Sequence, residues 1–98
     1  MTAASPILDR DQLQVLHVAA LIGVLKARTP EGKRDCQELA TASQKAQPGQ
    51  PITVAMPRTA QILSLYRREL DRRLALDPND ATAATAATRA AAVANLLI

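Results

Sequence analysis

No phenylalanine or tryptophan occurs in this 98-residue chain, and Tyr66 is its one aromatic residue. A core without aromatic bulk has to be aliphatic, and here the aliphatic supply is thin. Hydrophobic residues make up 48% of the sequence, but twenty of them are alanine, leaving 26 Leu, Ile, Val, Met and Tyr. Close helix contacts through alanine must then replace large side chains. Either modest stability or support from a partner subunit is the expected consequence.

The single cysteine, Cys36, excludes an internal disulfide and is compatible with a reducing compartment. With one histidine, His17, and one cysteine, no pair of zinc ligands stands at recognisable spacing. Three isolated glycines exclude a glycine-rich phosphate loop. No nucleophile–base pairing can be read from the scattered carboxylates. Neither catalytic residues nor a cofactor or metal is therefore expected, and the reading is non-enzymatic. The N-terminal run Met1–Gln12 has balanced charge and no basic leader, so no signal peptide is expected. The longest apolar stretch is too short for the roughly 20 residues a membrane helix needs, so no membrane insertion is expected.

What is present is helical punctuation. The chain is read as a single helical domain over 1–98, an all-α four-helix bundle. Its organising stretch is Leu13–Leu25, LQVLHVAALIGVL, interrupted only by Gln14, His17 and Gly23. Apolar residues on every side of a helix require burial on most faces, which makes this the central helix. Ser5-Pro6 offers a cap and a first-turn proline, so the first helix is placed over about 6–28. His17 within it is expected to be a core or boundary histidine hydrogen-bonded to a carbonyl. Gly23, unfavourable in a helix by about 1 kcal/mol relative to alanine, implies close approach of another backbone.

Thr29-Pro30 repeats the cap chemistry and opens a second helix over about 30–46. Its stripe is Gly32, Cys36, Leu39, Ala40 and Ser43, with one large apolar member, which makes it the most peripheral helix. Pro48, Gly49 and Pro51 end it. An extended apolar loop at 47–56 follows, in which Ile52–Met56 has strand composition. With no second strand candidate, it is expected to form no sheet within one chain, and to tuck against the bundle or reach another chain.

A third helix over about 57–76 carries two apolar stripes. Thr59, Ile62, Leu63, Tyr66, Leu70 and Leu74 form the broad one; Leu65 and Leu76 form the narrow one. Glu69 and Arg73 lie between them, spaced to pair. The run Leu74–Ala81, ALxLDPN in pattern, resembles the close of a tetratricopeptide repeat. That resemblance covers eight residues: Pro51 and Pro57 fall where such a repeat has its first helix, and Tyr66 and Arg73 stand where it wants alanine. The run therefore reads as a stop and cap, Asp77-Pro78 opening a fourth helix over about 78–97. There the triplet repeat sets Thr82, Thr85 and Thr88 with Arg89 opposite Ala83, Ala86, Ala90, Val93, Ala94 and Leu97.

The net charge is +3, and nine of the twelve cations are arginine. Arginine and alanine enrichment follows from a GC-rich genome, and arginine also suits phosphate or carboxylate recognition. Once a monomer core is closed, Leu65, Leu76, Ile52, Val54, Met56, Leu96, Leu97 and Ile98 are left without obvious covers. They are the expected partner interface of a self-associating interaction or assembly module, such as a virion component, a secretion-apparatus component or a small adaptor. Such a protein would be cytoplasmic or assembled into a virion or secretion complex. The alternative is a basic DNA-binding regulator using Arg58, Arg67, Arg68 and Arg72 of the third helix. Against that stand the ten residues between helices two and three, the acidic Glu69 and Asp71, and the lack of aromatics for base stacking.

Overall fold

The computed structural model describes residues 2–97 and shows a four-helix bundle. Strand β1 (Thr2–Ala4) precedes α1 (Arg10–Lys26) and α2 (Pro30–Lys45). Strand β2 (Val54–Met56), α3 (Arg58–Leu76) and α4 (Ala81–Leu96) complete it. No helix among the described residues is long and apolar enough to cross a membrane.

The expected start of the first helix is corrected by four residues. Asp9, not Ser5, caps α1: its carboxylate accepts from the Gln12 N–H at 2.8 Å, and Gln12 Oε1 accepts from the Asp9 N–H at 3.0 Å. Two otherwise orphaned donors are satisfied by this reciprocal box, which a Ser5 cap could not match. Ser5 to Leu8 stay extended instead, since the Pro6 and Leu8 carbonyls accept from the Ile52 and Gly49 N–H groups at 3.0 Å. Leu8 thereby enters the core at 1% exposure.

The 47–56 segment is also corrected. Its strand pairs within the chain, antiparallel to β1, in the register Thr2↔Met56, Ala3↔Ala55 and Ala4↔Val54. Thr-Ala-Ala carries almost no strand composition, so the partner could not be seen from sequence. Pairing across the bundle gives the β2 backbone hydrogen-bond partners and lets Ile52 and Val54 point inward, at 5% and 4% exposure.

The helix joints follow their caps. Thr29 accepts from the Gly32 N–H at 3.0 Å, so three residues, 27–29, turn α1 into α2. At the other joint Asp80, rather than Asp77, caps α4 by accepting from the Ala83 N–H at 3.0 Å. Asp77 instead holds the intervening turn, accepting from the Asn79 N–H at 3.1 Å. The fourth helix consequently begins three residues later than its first proline suggested.

α1 packs against all three other helices and is central, as its apolar run required. Leu13, Val15, Leu16, Ala19 and Ala20 are its buried residues. α2 lays Cys36, Leu39, Ala40 and Ser43 against α1 and barely touches α3. His17 pins this pair: its Nδ1–H donates to the Ala40 carbonyl, at 3.0 Å. Ser43 is buried without penalty because its hydroxyl donates back to Leu39 O at 2.8 Å. α4 contributes the face read from its triplet pattern, burying Ala83, Ala90 and Val93 and leaving the threonines exposed.

Burial of α1 on most faces is only half realised. α4 runs beside its first half, where Asp11, Gln14, Val15 and Val18 face the Ala81–Arg89 stretch. An Arg89–Asp11 ion pair at 3.4 Å closes that contact. Beyond Val18 no described residue closes over the outer side, and Leu21 and Leu25 are 46% and 84% exposed. Leu16→Ala should therefore cost about 2–5 kcal/mol in denaturant titration, as at a buried leucine. Leu21→Ala should cost less than about 1 kcal/mol. Equal losses at the two positions would contradict this division of the helix.

Candidate functional site

The C-terminal half of α1, the first turns of α2 and one face of α3 enclose a half-open groove of about 550 Å³. Its position follows from the short α1–α2 turn, which folds α2 back onto Gly23. A Cβ placed on Gly23 would stand 2.6 Å from Cys36 Sγ and 3.4 Å from Cys36 Cβ, so the helices approach only because that side chain is missing. Ala19, Ile22, Gly23, Cys36, Ile62 and Tyr66 form the apolar floor.

The rim is cationic. Lys26, Arg28, Arg58, Arg68 and Arg72 border the groove against one carboxylate, Glu69. That carboxylate is spent internally: it accepts from Arg72 at 2.6 Å and from Lys26 at 2.8 Å, with Arg73 at 3.9 Å. Hydrogen bonds from Arg72, then from Lys26, hold the Glu69 carboxyl at about 2, well below its ordinary 4.5. Arg58 pairs with Asp35 at 3.0 Å, whereas Arg28 and Arg68 make no ion pair among the described residues. Even with Asp35 counted, this site accounts for the chain's entire net charge of +3. Two other grooves differ. One, between α2, β2 and α3, has two carboxylates and one arginine; the other, between α1 and α4, has the paired Asp11 and Arg89.

The residues expected at a partner interface divide. Ile52, Val54 and Leu97 are buried within the chain at 5%, 4% and 6% exposure, which removes them from any interface. Met56 is half-buried, and Ile98 lies outside the described residues. Leu65, Leu76 and Leu96 are exposed at 59%, 81% and 48%. Leu96 closes α4, about 24 Å of helix away from the α3 end where Leu76 sits, so the exposed leucines do not form one patch.

The arginines divide too. Arg58, Arg68 and Arg72 share a face of α3 with Leu65, and helical spacing puts Leu76 on that face as well. Arg67 points roughly 140° away from its middle and does not reach the groove. Two features that the sequence presented as rival sites, the narrow leucine stripe and the arginine cluster, are thus one surface. The sequence reading missed Arg28 and Lys26, which come from α1 and its turn. No linear signal joins them to α3.

The thiol and imidazole have structural positions. Burial pushes the Cys36 thiol up, with Arg58 opposing and Asp35 adding, so it stays protonated at neutral pH. His17 spends Nδ1 on the α2 backbone. Among the described residues no group of three or more His, Cys, Asp or Glu could hold a metal ion.

The chain matches no protein-family model, no curated protein and no solved structure.

Two outcomes follow from this geometry. Gly23→Ala should lower stability by about 1–3 kcal/mol through overpacking against Cys36. In a Cys36→Ala background that loss should shrink, since the alanine then keeps only its helix-forming advantage of about 1 kcal/mol. An unchanged penalty in the double-mutant cycle would exclude the sulfur contact as its cause. For Glu69, a depressed carboxyl contributes stability that is full above 4.5 and is lost as pH falls through about 2. Glu69→Gln should flatten the fall in urea midpoint over that window; an unaltered acid limb would show that the cluster does not couple to folding.

Proposed function

We propose that this protein is a non-enzymatic interaction module whose docking face is the groove of α1, α2 and α3. The observation that carries this reading is the pattern of α3, where exposed Leu65 and Leu76 alternate with Arg58, Arg68 and Arg72 on one face. A merely solvated face would carry charge without large leucines. A merely unfinished core would carry leucines without concentrated charge. The half-open apolar floor between the rim cations supports the same reading, because interface centres are apolar and their rims polar.

Self-association through this face is disfavoured by its own charge. A two-fold pairing would set the same cations of both copies against one another. Ile7, Leu21, Leu25 and Leu96 are exposed apolar residues outside the groove, available for contact between copies. Sequence-specific DNA binding has less support. Arg72 and Arg58 are engaged by Glu69 and Asp35, and Arg67 projects from another side of α3.

The reading requires that the uncovered leucines contribute little to the fold. Leu65→Glu and Leu76→Glu should each change unfolding free energy by about 0.5 kcal/mol or less. Losses above about 2 kcal/mol would make them structural residues and end the proposal. Duplex DNA should bind weakly and without sequence preference, at roughly 10⁻⁴–10⁻⁶ M in physiological salt. Nanomolar, sequence-specific binding abolished by Arg67→Glu with Arg68→Glu would install the regulator in its place.

A further inference from the structure

We infer that the partner presented to this groove is an acidic amphipathic α-helix of another protein, an assignment that rests on the interaction-module reading above. Charge complementarity selects the sign. Five cations face the groove, the one carboxylate among them is already shared by Lys26 and Arg72, and Arg28 and Arg68 have no acidic partner among the described residues. An incoming carboxylate therefore meets unspent guanidinium groups, which donate paired hydrogen bonds to carboxylates.

Length selects the shape. Arg58 and Arg72 are fourteen positions apart, about 21 Å along α3, so the rim charges are strung along the groove. A small anion or a single headgroup would satisfy one or two of them. A helix lying in the groove can place carboxylates along both edges while its apolar stripe meets Ile22, Ile62 and Leu65.

The test uses the full chain and three synthetic peptides of about 18 residues, or about 27 Å as helix. One carries leucines at i, i+3, i+4 and i+7 with glutamates elsewhere. The second replaces every glutamate by lysine. The third scrambles the acidic sequence so that no apolar stripe forms. Binding is followed by fluorescence anisotropy and by backbone amide shifts of the labelled protein. The acidic amphipathic peptide should bind saturably, shift amides at Ile22, Gly23, Ile62 and Leu65, and weaken with added salt. Arg28→Glu with Arg68→Glu, two exposed and unpaired positions, should weaken it about tenfold or more. The lysine and scrambled peptides should not compete.

Equal binding of the lysine peptide, or indifference to the double charge reversal, would overturn the acidic partner while leaving an interaction module with apolar recognition. Equal binding of the scrambled peptide would reduce the groove to a general anion attractor and overturn the helical occupant. Absence of binding by all three would overturn helix docking altogether. Amide shifts at Ile22 and Leu65 on concentrating the protein alone would assign the groove to a second copy. Failure of the underlying reading is visible separately, as destabilisation by Leu65→Glu and Leu76→Glu in the absence of any peptide.

Discussion

The close crossing of α1 and α2 at Gly23 and Cys36 is the contact on which the rest of the structure depends. It places the sulfur of α2 where a Cβ of α1 would otherwise stand. Six residues earlier on α1 and four later on α2, His17 donates to the Ala40 carbonyl and fixes the rotation of α2 about its axis. With these two contacts made, α2 uses one side of α1 and leaves the adjacent side to α3, and the groove is lined by all three.

The absence of aromatic bulk shapes what surrounds this pair. Apart from Tyr66 and Cys36, the buried hydrophobic set is Leu, Val, Ile and Ala, and Ala19, Ala20, Ala40, Ala83 and Ala90 sit where larger residues would separate the helices. Close-packed small residues bury little area each, so the bundle must be completed from its ends. Leu8, held by the carbonyl contacts of its extended segment, supplies one plug; Ile52 and Val54 of the paired strand segment supply another. The short antiparallel ribbon is thus part of how an alanine-rich core is closed. Leucines left over, chiefly Leu25, Leu65 and Leu76, stand on the outside.

Electrostatics adds the asymmetry. Glu69 gathers Lys26 from α1 and Arg72 from its own helix, tying α1 to α3 while cancelling the only carboxylate that borders the groove. Lys26 and Arg72 are more than half exposed, so solvent screens this cluster from their side. Its consequence is positional, since it draws cations of two helices to one rim. The remaining arginines then give an apolar trough a uniform sign, and the mild basicity of the composition becomes a local property.

By itself the sequence determined the four helices and most of their inner faces. Helical spacing identified the buried stripe of α2, the broad face of α3 and the alanine face of α4, because those patterns repeat with the helix period. Local hydrogen-bond chemistry located the Thr29 cap, and the need of a lone core histidine for an acceptor anticipated His17. Competing caps were not separable in sequence: Asp9 against Ser5, and Asp80 against Asp77, differ by which donors the neighbouring chain already satisfies. Only tertiary structure could decide the β1–β2 pairing, since Thr2–Ala4 has no strand signal and gains its partner from residues some fifty positions away. Tertiary structure also decided which apolar residues stay uncovered. Leu21 and Leu25 read as core because the run is apolar all round, yet α4 reaches only the first half of α1. The same holds for the site: Lys26 and Arg28 meet Arg58, Arg68 and Arg72 through the crossing of three helices, a juxtaposition that no spacing along the chain encodes.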